Sequence, residues 1–171
     1  MQTPLVLTVI ARDRTGLVES IARIVAAHDG NWLESRMCRL GGEFAGILRI
    51  VVPSDKTAAL EKALSTLPEI AVTFRVDEPA RAAGEQQLAA LEVIGPDRPG
   101  IVREITHALA AQGVNVEELA TEVVSAPMSG EPLFKASAKL LLPPGATIAS
   151  VRPSLEQAAG ALTVDFSLAA L

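Results

Sequence analysis

The chain of 171 residues has almost no aromatic side chains and contains no tyrosine. With aromatics at 3%, it lacks the stacking platforms on which single-stranded nucleic acid binds. The net charge of -5 also argues against a surface that neutralises phosphates. Residues 1–84 hold ten basic and ten acidic groups, whereas residues 85–171 hold five and ten, so the second half is acidic. We therefore predict no direct contact with nucleic acid.

Cysteine and histidine are scarce as well. Cys38 is the only cysteine, which excludes a disulfide within the chain and any metal site built from several cysteines. The two histidines, His28 and His107, have no second histidine or carboxylate at metal-ligand spacing. No nucleophile with a base partner is visible either. The sequence thus predicts no catalytic residue, no metal site and no cofactor, and we expect a protein that is not an enzyme.

Long apolar runs are also missing. None reaches the roughly 18 residues that a membrane span requires. The segment Met1–Pro4 lacks the basic start and small-residue cleavage site of a signal peptide. We expect a cytoplasmic protein without membrane contact, and its 49% hydrophobic residues predict an aliphatic core of leucine, valine, isoleucine and alanine.

The sequence carries two copies of one strand-to-helix joint. Ile10–Val18 and Ile94–Val102 each end an apolar run, turn within a few residues and open an amphipathic pattern. A spacing of 84 positions superposes the two joints and, with them, Asp13 on Asp97, Gly16 on Gly100 and Asn31 on Asn115. The chain is therefore a duplicated unit.

A repeat of about half the chain length predicts two small domains of similar fold. We place the first domain at residues 1–78, a linker without apolar periodicity at residues 79–87, and the second domain at residues 88–171. Domains of this size bury only about 60% of their unfolded surface. We therefore expect a homo-oligomer.

Each half shows apolar patterns in the order β-α-β-β-α-β. In the first half we predict strands at Leu5–Ala11, Trp32–Leu40, Phe44–Val52 and Ile70–Asp77, one helix at Thr15–His28, and a second helix capped by Ser54. In the second half we predict strands at Leu88–Gly95, Asn115–Val124, Phe134–Leu142 and Leu162–Leu168, and helices at Gly100–Gln112 and Thr147–Gly160. Pro153 predicts that the last helix is kinked or begins late.

Right-handed crossovers allow one arrangement of such a unit. It is a ferredoxin-like α+β sandwich, in which a four-stranded antiparallel-type sheet carries both helices on one face. The first and third strands lie at the centre, and the second and fourth form the edges. Gly41 and Gly42 predict a tight hairpin in the first half, whereas Ser125–Pro132 forms a longer loop in the second.

Each joint has the chemistry of a small-anion site. Gly16 and Gly100 let the amides of the first helical turn approach a ligand, and the helix dipole favours a carboxylate there. Asn31 and Asn115, early in the next strand, add an acceptor and a donor, as a zwitterionic amino acid requires. In the alternative interpretation Asp13 and Asp97 only satisfy turn amides and the glycines serve backbone geometry. The residues themselves leave both interpretations open.

The second joint resembles a known signature. Asp97–Val102, followed by apolar helix positions and then by Val114–Glu117, is similar to the signature of ACT domains, small regulatory modules that commonly bind amino acids. Ala126–Phe134 and Leu142–Pro144 resemble the glycine cleavage system transcriptional repressor family. The first joint departs from the signature, with Thr15 where the second has Pro99.

The resemblance implies a ligand held at a domain-domain interface, between the loop after the first strand and the early asparagine of the second. The ligand-binding positions that it implies in the second half are Asp97, Arg98, Pro99, Gly100, Ile101 and Asn115. Those in the first half are Asp13, Arg14, Thr15, Gly16, Leu17 and Asn31.

By resemblance, the chain is expected to be an amino-acid-sensing regulatory protein that acts on a transcriptional regulator by protein contact, with glycine or serine as the first candidates. The alternative is a ligand-free association or scaffold module for an amino-acid metabolic enzyme. A complete deformylase or phosphoserine phosphatase would need a further catalytic domain beside such modules.

Overall fold

The chain divides into two compact units, Met1–Ala80 and Arg81–Leu171. The computed structural model describes residues 1–77, 87–127 and 129–171. The predicted linker at residues 79–87 lies outside the described residues except for residue 87, as does one residue, 128, of the predicted long loop. Within the described ranges, no helix is long and apolar enough to cross a membrane.

Both units have the predicted order of elements. The first unit contains β1 (Gln2–Arg12), α1 (Leu17–Ala27), β2 (Asn31–Leu40), β3 (Glu43–Pro53), α2 (Thr57–Ser65) and β4 (Ile70–Val76). The second contains β5 (Leu88–Pro96), α3 (Ile101–Ala111), β6 (Asn115–Ser125), β7 (Pro132–Leu141), α4 (Ile148–Leu162) and β8 (Asp165–Ala170).

Each unit has one four-stranded antiparallel sheet. The strand orders are β2-β3-β1-β4 and β6-β7-β5-β8, so the first and third strands of each unit are central and the second and fourth are edges. This is the predicted pair of ferredoxin-like sandwiches. Gly41 and Gly42 both have positive φ, +60° and +86°, which a two-residue hairpin turn between β2 and β3 requires.

An aliphatic core lies on one face of each sheet. In the first unit, alternate residues of β1 such as Leu7 and Val9 pack with Ile21 and Val25 of α1. The second unit repeats the arrangement with β5 and α3. The intervening residues of the strands, such as Ile10 of β1, point to the opposite face, which we call the open face of the sheet.

Two predicted boundaries are wrong. Ser54 does not cap α2, because its hydroxyl donates to the carbonyl of Met1 at 3.1 Å and the helix begins at Thr57. The last strand begins at Asp165 and not at Leu162, because Leu162 still belongs to α4. Thr163, with a left-handed φ of 56°, then ends that helix.

The last helix does not begin late, since α4 runs continuously from Ile148 through Pro153. The alternative, a kink at Pro153, stays a prediction. A reciprocal capping box fixes the first turn of α4. The Ser150 amide donates to the Thr147 hydroxyl at 3.2 Å, and the Thr147 amide donates to the Ser150 hydroxyl at 3.0 Å. Pro153 has no amide hydrogen, so the carbonyl one turn earlier lacks its usual helical hydrogen bond.

Thr147→Ala should therefore lower the free energy of unfolding by about 1 kcal/mol, because it removes the side-chain hydroxyl that accepts from the Ser150 amide in the capping box. Chemical denaturation with urea measures the difference. Thr147→Ser keeps an acceptor and should stay near the wild type. An alanine variant as stable as the serine variant would show that the cap does not hold the helix start.

Candidate functional site

Both predicted loops end at a left-handed glycine. Gly16 (φ +86°) precedes α1 and Gly100 (φ +98°) precedes α3, and no side chain caps either helix start. A Cβ added at either glycine would meet no atom within 4 Å, so backbone conformation and not crowding selects glycine. The first-turn amides of both helices are thus left without a side-chain acceptor. This geometry suits a small anion.

The aspartates of the two loops have different partners. The amide of Asp13 donates to the carbonyl of Gly42 at 2.9 Å, and its carboxylate forms an ion pair with Arg39, whose Nε lies 2.5 Å from Oδ2. Asp97 repeats the backbone bond, to Pro132 at 3.0 Å. Val123 stands at the position equivalent to Arg39. Across residues 1–77, 87–127 and 129–171, the Asp97 carboxylate has no hydrogen bond or ion pair.

The other predicted ligand-binding residues of the two loops differ in their contacts and burial. Arg98 donates to the carbonyl of Ala161 at 2.7 Å and so ties the loop to the last turn of α4. Leu17 and Ile101 are buried core residues and offer only their backbone amides to the loop. Arg14, Thr15 and Pro99 are exposed.

The asparagines lie far from these loops within their own unit. Asn115 pairs with Leu141 of β7, which in turn pairs with Leu88 at the start of β5. The loop follows the other end of β5. Asn31 has the same place in the first unit. The helix between loop and asparagine has 11 residues and is about 16 Å long. A single unit does not bring the predicted site residues together.

Asn115 has a local partner in its strand. Its Nδ2 donates to Glu117 Oε1 at 2.6 Å, beside an irregularity in the register between Val116 and Glu118. Asn31 occupies the equivalent exposed position, before the same irregularity in β2. The asparagine side chains are thus on the surface at the start of an edge strand.

An apolar strip runs beside the second loop, along the edge of the sheet. We define the edge strip as Val102 of α3 with Leu119 and Val123 of β6, which are 43%, 49% and 56% exposed. It borders a small groove between α3 and β6. In the first unit the positions equivalent to Leu119 and Val123 hold Ser35 and Arg39. This strip was not predicted from the sequence, although Leu119 and Val123 alternate with Thr121 on one face of β6 and could have indicated it.

The clear pKa shifts lie in the first unit, away from both loops. A hydrogen bond from Lys56 lowers the pKa of the Asp29 carboxyl, and the same contact raises the pKa of Lys56. Both side chains are on the surface. The pair joins the turn after α1 to the start of α2 and has no part in the loop chemistry.

Comparisons with known proteins concern the fold of the two units. Family models described as ACT domain match residues 3–77 and residues 89–131. A crystal structure of an unknown protein from Galdieria sulphuraria has 28% identity and a TM-score of 0.91, covering 100% of this chain and 99% of that one. A protein provisionally described as a glycine cleavage system transcriptional repressor has 19% identity and a TM-score of 0.73, covering 100% and 98%.

The similarity to this last protein shows the fold alone, because the two sequences are only 19% identical. A formyltetrahydrofolate deformylase from Pseudomonas putida KT2440 matches in part, with 24% identity, a TM-score of 0.43, and coverage of 49% of this chain and 29% of that one. A search of curated proteins gives no match.

Proposed function

The chain belongs to the ACT-domain family, with one such domain in each half, and on this premise we propose that it is a non-enzymatic regulatory protein that senses a small amino acid. It acts on a transcriptional regulator through protein contact, in the cytoplasm. Glycine and serine are the first candidate ligands. The observation that supports this most is the open anion site at the start of α3, next to an aspartate that has no partner among the described residues.

The second loop offers complementary groups for a zwitterion. Pro99 has no amide hydrogen, so Gly100 and Ile101 are the donors for the ligand carboxylate, where the helix dipole also favours negative charge. The Asp97 carboxylate is available for the ligand ammonium group. In the first loop Arg39 already holds the equivalent aspartate, Asp13. The second loop is therefore the better ligand site.

A second domain of the same type completes the site. When two β6 edges pair antiparallel, their ends are exchanged, so the loop of one domain meets Asn115 of the other. Edge strand β6 has an unpaired side, and the edge strip beside it presents apolar surface for such a contact. We assign the second domain to a second copy of the chain, which makes the protein a homo-oligomer.

Calorimetric titration with a panel of amino acids tests this proposal. We expect heat for glycine or serine, because the groups on the loop bind the ammonium and carboxylate and need no side chain on the ligand. Asp97→Asn should abolish that heat, while Asp13→Asn, the matched variant in the first loop, should leave it unchanged. A chain that gives neither heat nor a thermal shift with any amino acid would favour the ligand-free scaffold instead.

A further inference from the structure

The open face of the first sheet carries an uncharged row. The strand registers align Cys38, Ala45, Ile10 and Ala71, one residue from each of the four strands. Ile10 is 49% exposed, and Ile47 in the neighbouring row is 54% exposed. This row, near the end of β1, crosses the whole sheet without a formal charge.

The equivalent row of the second sheet is charged. It consists of Glu122, Lys135, Ile94 and Asp165, again one residue from each strand. Isolated exposed apolar residues are ordinary. The two sheets therefore share a fold but differ in charge along this row, which favours contact with another surface for the first sheet.

The arrangement of charges on the first sheet fits a second copy of the same face. A two-fold axis parallel to the strands places β2 over β4 of the partner and β3 over β1 of the partner. Glu34 and Arg75 occupy the two ends of one row, so each Glu34 then lies opposite an Arg75 of the partner subunit. Glu43 and Arg12 are directly paired on the two central strands, so they also face each other across the interface.

The apolar residues of the two copies also fit each other under the same two-fold rotation. Ile10 lies opposite Ala45 of the partner subunit, where the small side chain leaves room for the larger one. The Glu34–Arg36 ion pair within the chain, at 3.2 Å, does not oppose this, because both side chains are more than half exposed and such pairs contribute little. Charge and size are therefore both self-complementary.

The second sheet fails the same test. Stacked on itself about the same axis, it would place Glu122 opposite Asp165 of the partner subunit, and symmetry would repeat that contact. Like charges facing each other across an interface select against it. Only the first of the duplicated sheets suits face-to-face pairing.

We propose that the open face of the first sheet is a homodimer interface, formed by two copies of the chain stacked about an axis parallel to the strands. Strands about 4.8 Å apart and same-face residues about 6.7 Å apart give a face on the order of 600 Å². Standard interfaces bury roughly 800 Å² per partner, so the dimer is small and depends on concentration. It does not rest on the proposed amino-acid site, which uses β6 and α3.

Sedimentation of a matched pair of variants tests the interface. Ile10→Lys and Ile94→Lys change equivalent, half-exposed residues on the open faces of the two sheets. With a chain mass of 17.9 kDa, Ile10→Lys should halve the mass of the largest assembly at a protein concentration at which the wild type is associated, whereas Ile94→Lys should leave it unchanged. Equal masses for the two variants would overturn the proposal.

A charge exchange provides a second test, independent of the first. Glu34→Arg alone should weaken self-association at least tenfold, because it places two arginines opposite each other. Adding Arg75→Glu should restore it. Within one chain these positions lie on opposite edges of the sheet, about 14 Å apart, so restoration has to act between copies. A double variant that associates no better than the single variant would contradict the stacked arrangement.

Discussion

Asn115→Ala should weaken binding of the sensed amino acid at least tenfold while leaving the fold intact. In the proposed site the asparagine amide bonds a charged group of the ligand, and losing one such hydrogen bond costs about 1.5–3 kcal/mol. The side chain is exposed, and among the described residues its amide donates to a neighbour in the same strand, Glu117, so folding does not depend on it. Calorimetric titration of the intact chain measures the change.

Asn31→Ala is the internal control, because Asn31 has the same place at the start of β2. We expect a smaller effect there, since the loop aspartate of the first unit is held by Arg39. The pocket lies elsewhere if both variants bind the amino acid as tightly as the wild type. A loss shared equally by the two variants would instead mean that both halves bind ligand alike.

Gly46→Ala should destabilise the first unit more than any surface change. Gly46 lies in β3, opposite Met37 of β2. An added Cβ would come within 2.4 Å of the Arg36 carbonyl oxygen and within 2.7 Å of the Met37 Cα. These are backbone atoms, so the two strands would have to separate. Overpacking of this kind costs up to about 3 kcal/mol, and the stiffer backbone of alanine returns about 0.5–1 kcal/mol.

The net loss of about 2 kcal/mol corresponds to a fall in Tm of about 8–16 °C for a domain of this size. Thermal unfolding followed by circular dichroism measures it. Ala136→Gly, at the equivalent position of the second sheet, is the control, and there we expect a loss of only about 0.5–1 kcal/mol. A Gly46→Ala protein that melts within a few degrees of the wild type would show that β2 and β3 separate at little cost.

The sequence by itself determined the duplication, the order of elements and the position of both loops. These follow from local patterns. An apolar run, a turn with glycine and apolar residues at helical spacing together predict a strand followed by a helix, and the same pattern recurs 84 residues later. The boundaries at Ser54 and Leu162 were predicted wrongly, because a hydrogen bond to Met1 and a left-handed Thr163 decide them.

Only the tertiary structure decided which residues share a surface. Strand register places Asn115 at the opposite end of its unit from Gly100, so the residues that look like one site along the sequence do not meet within one unit. The Arg39 bond to Asp13 and the row through Ile10 likewise depend on pairings between distant strands. Residues far apart in the chain meet through hydrogen-bond registers, which no local pattern specifies.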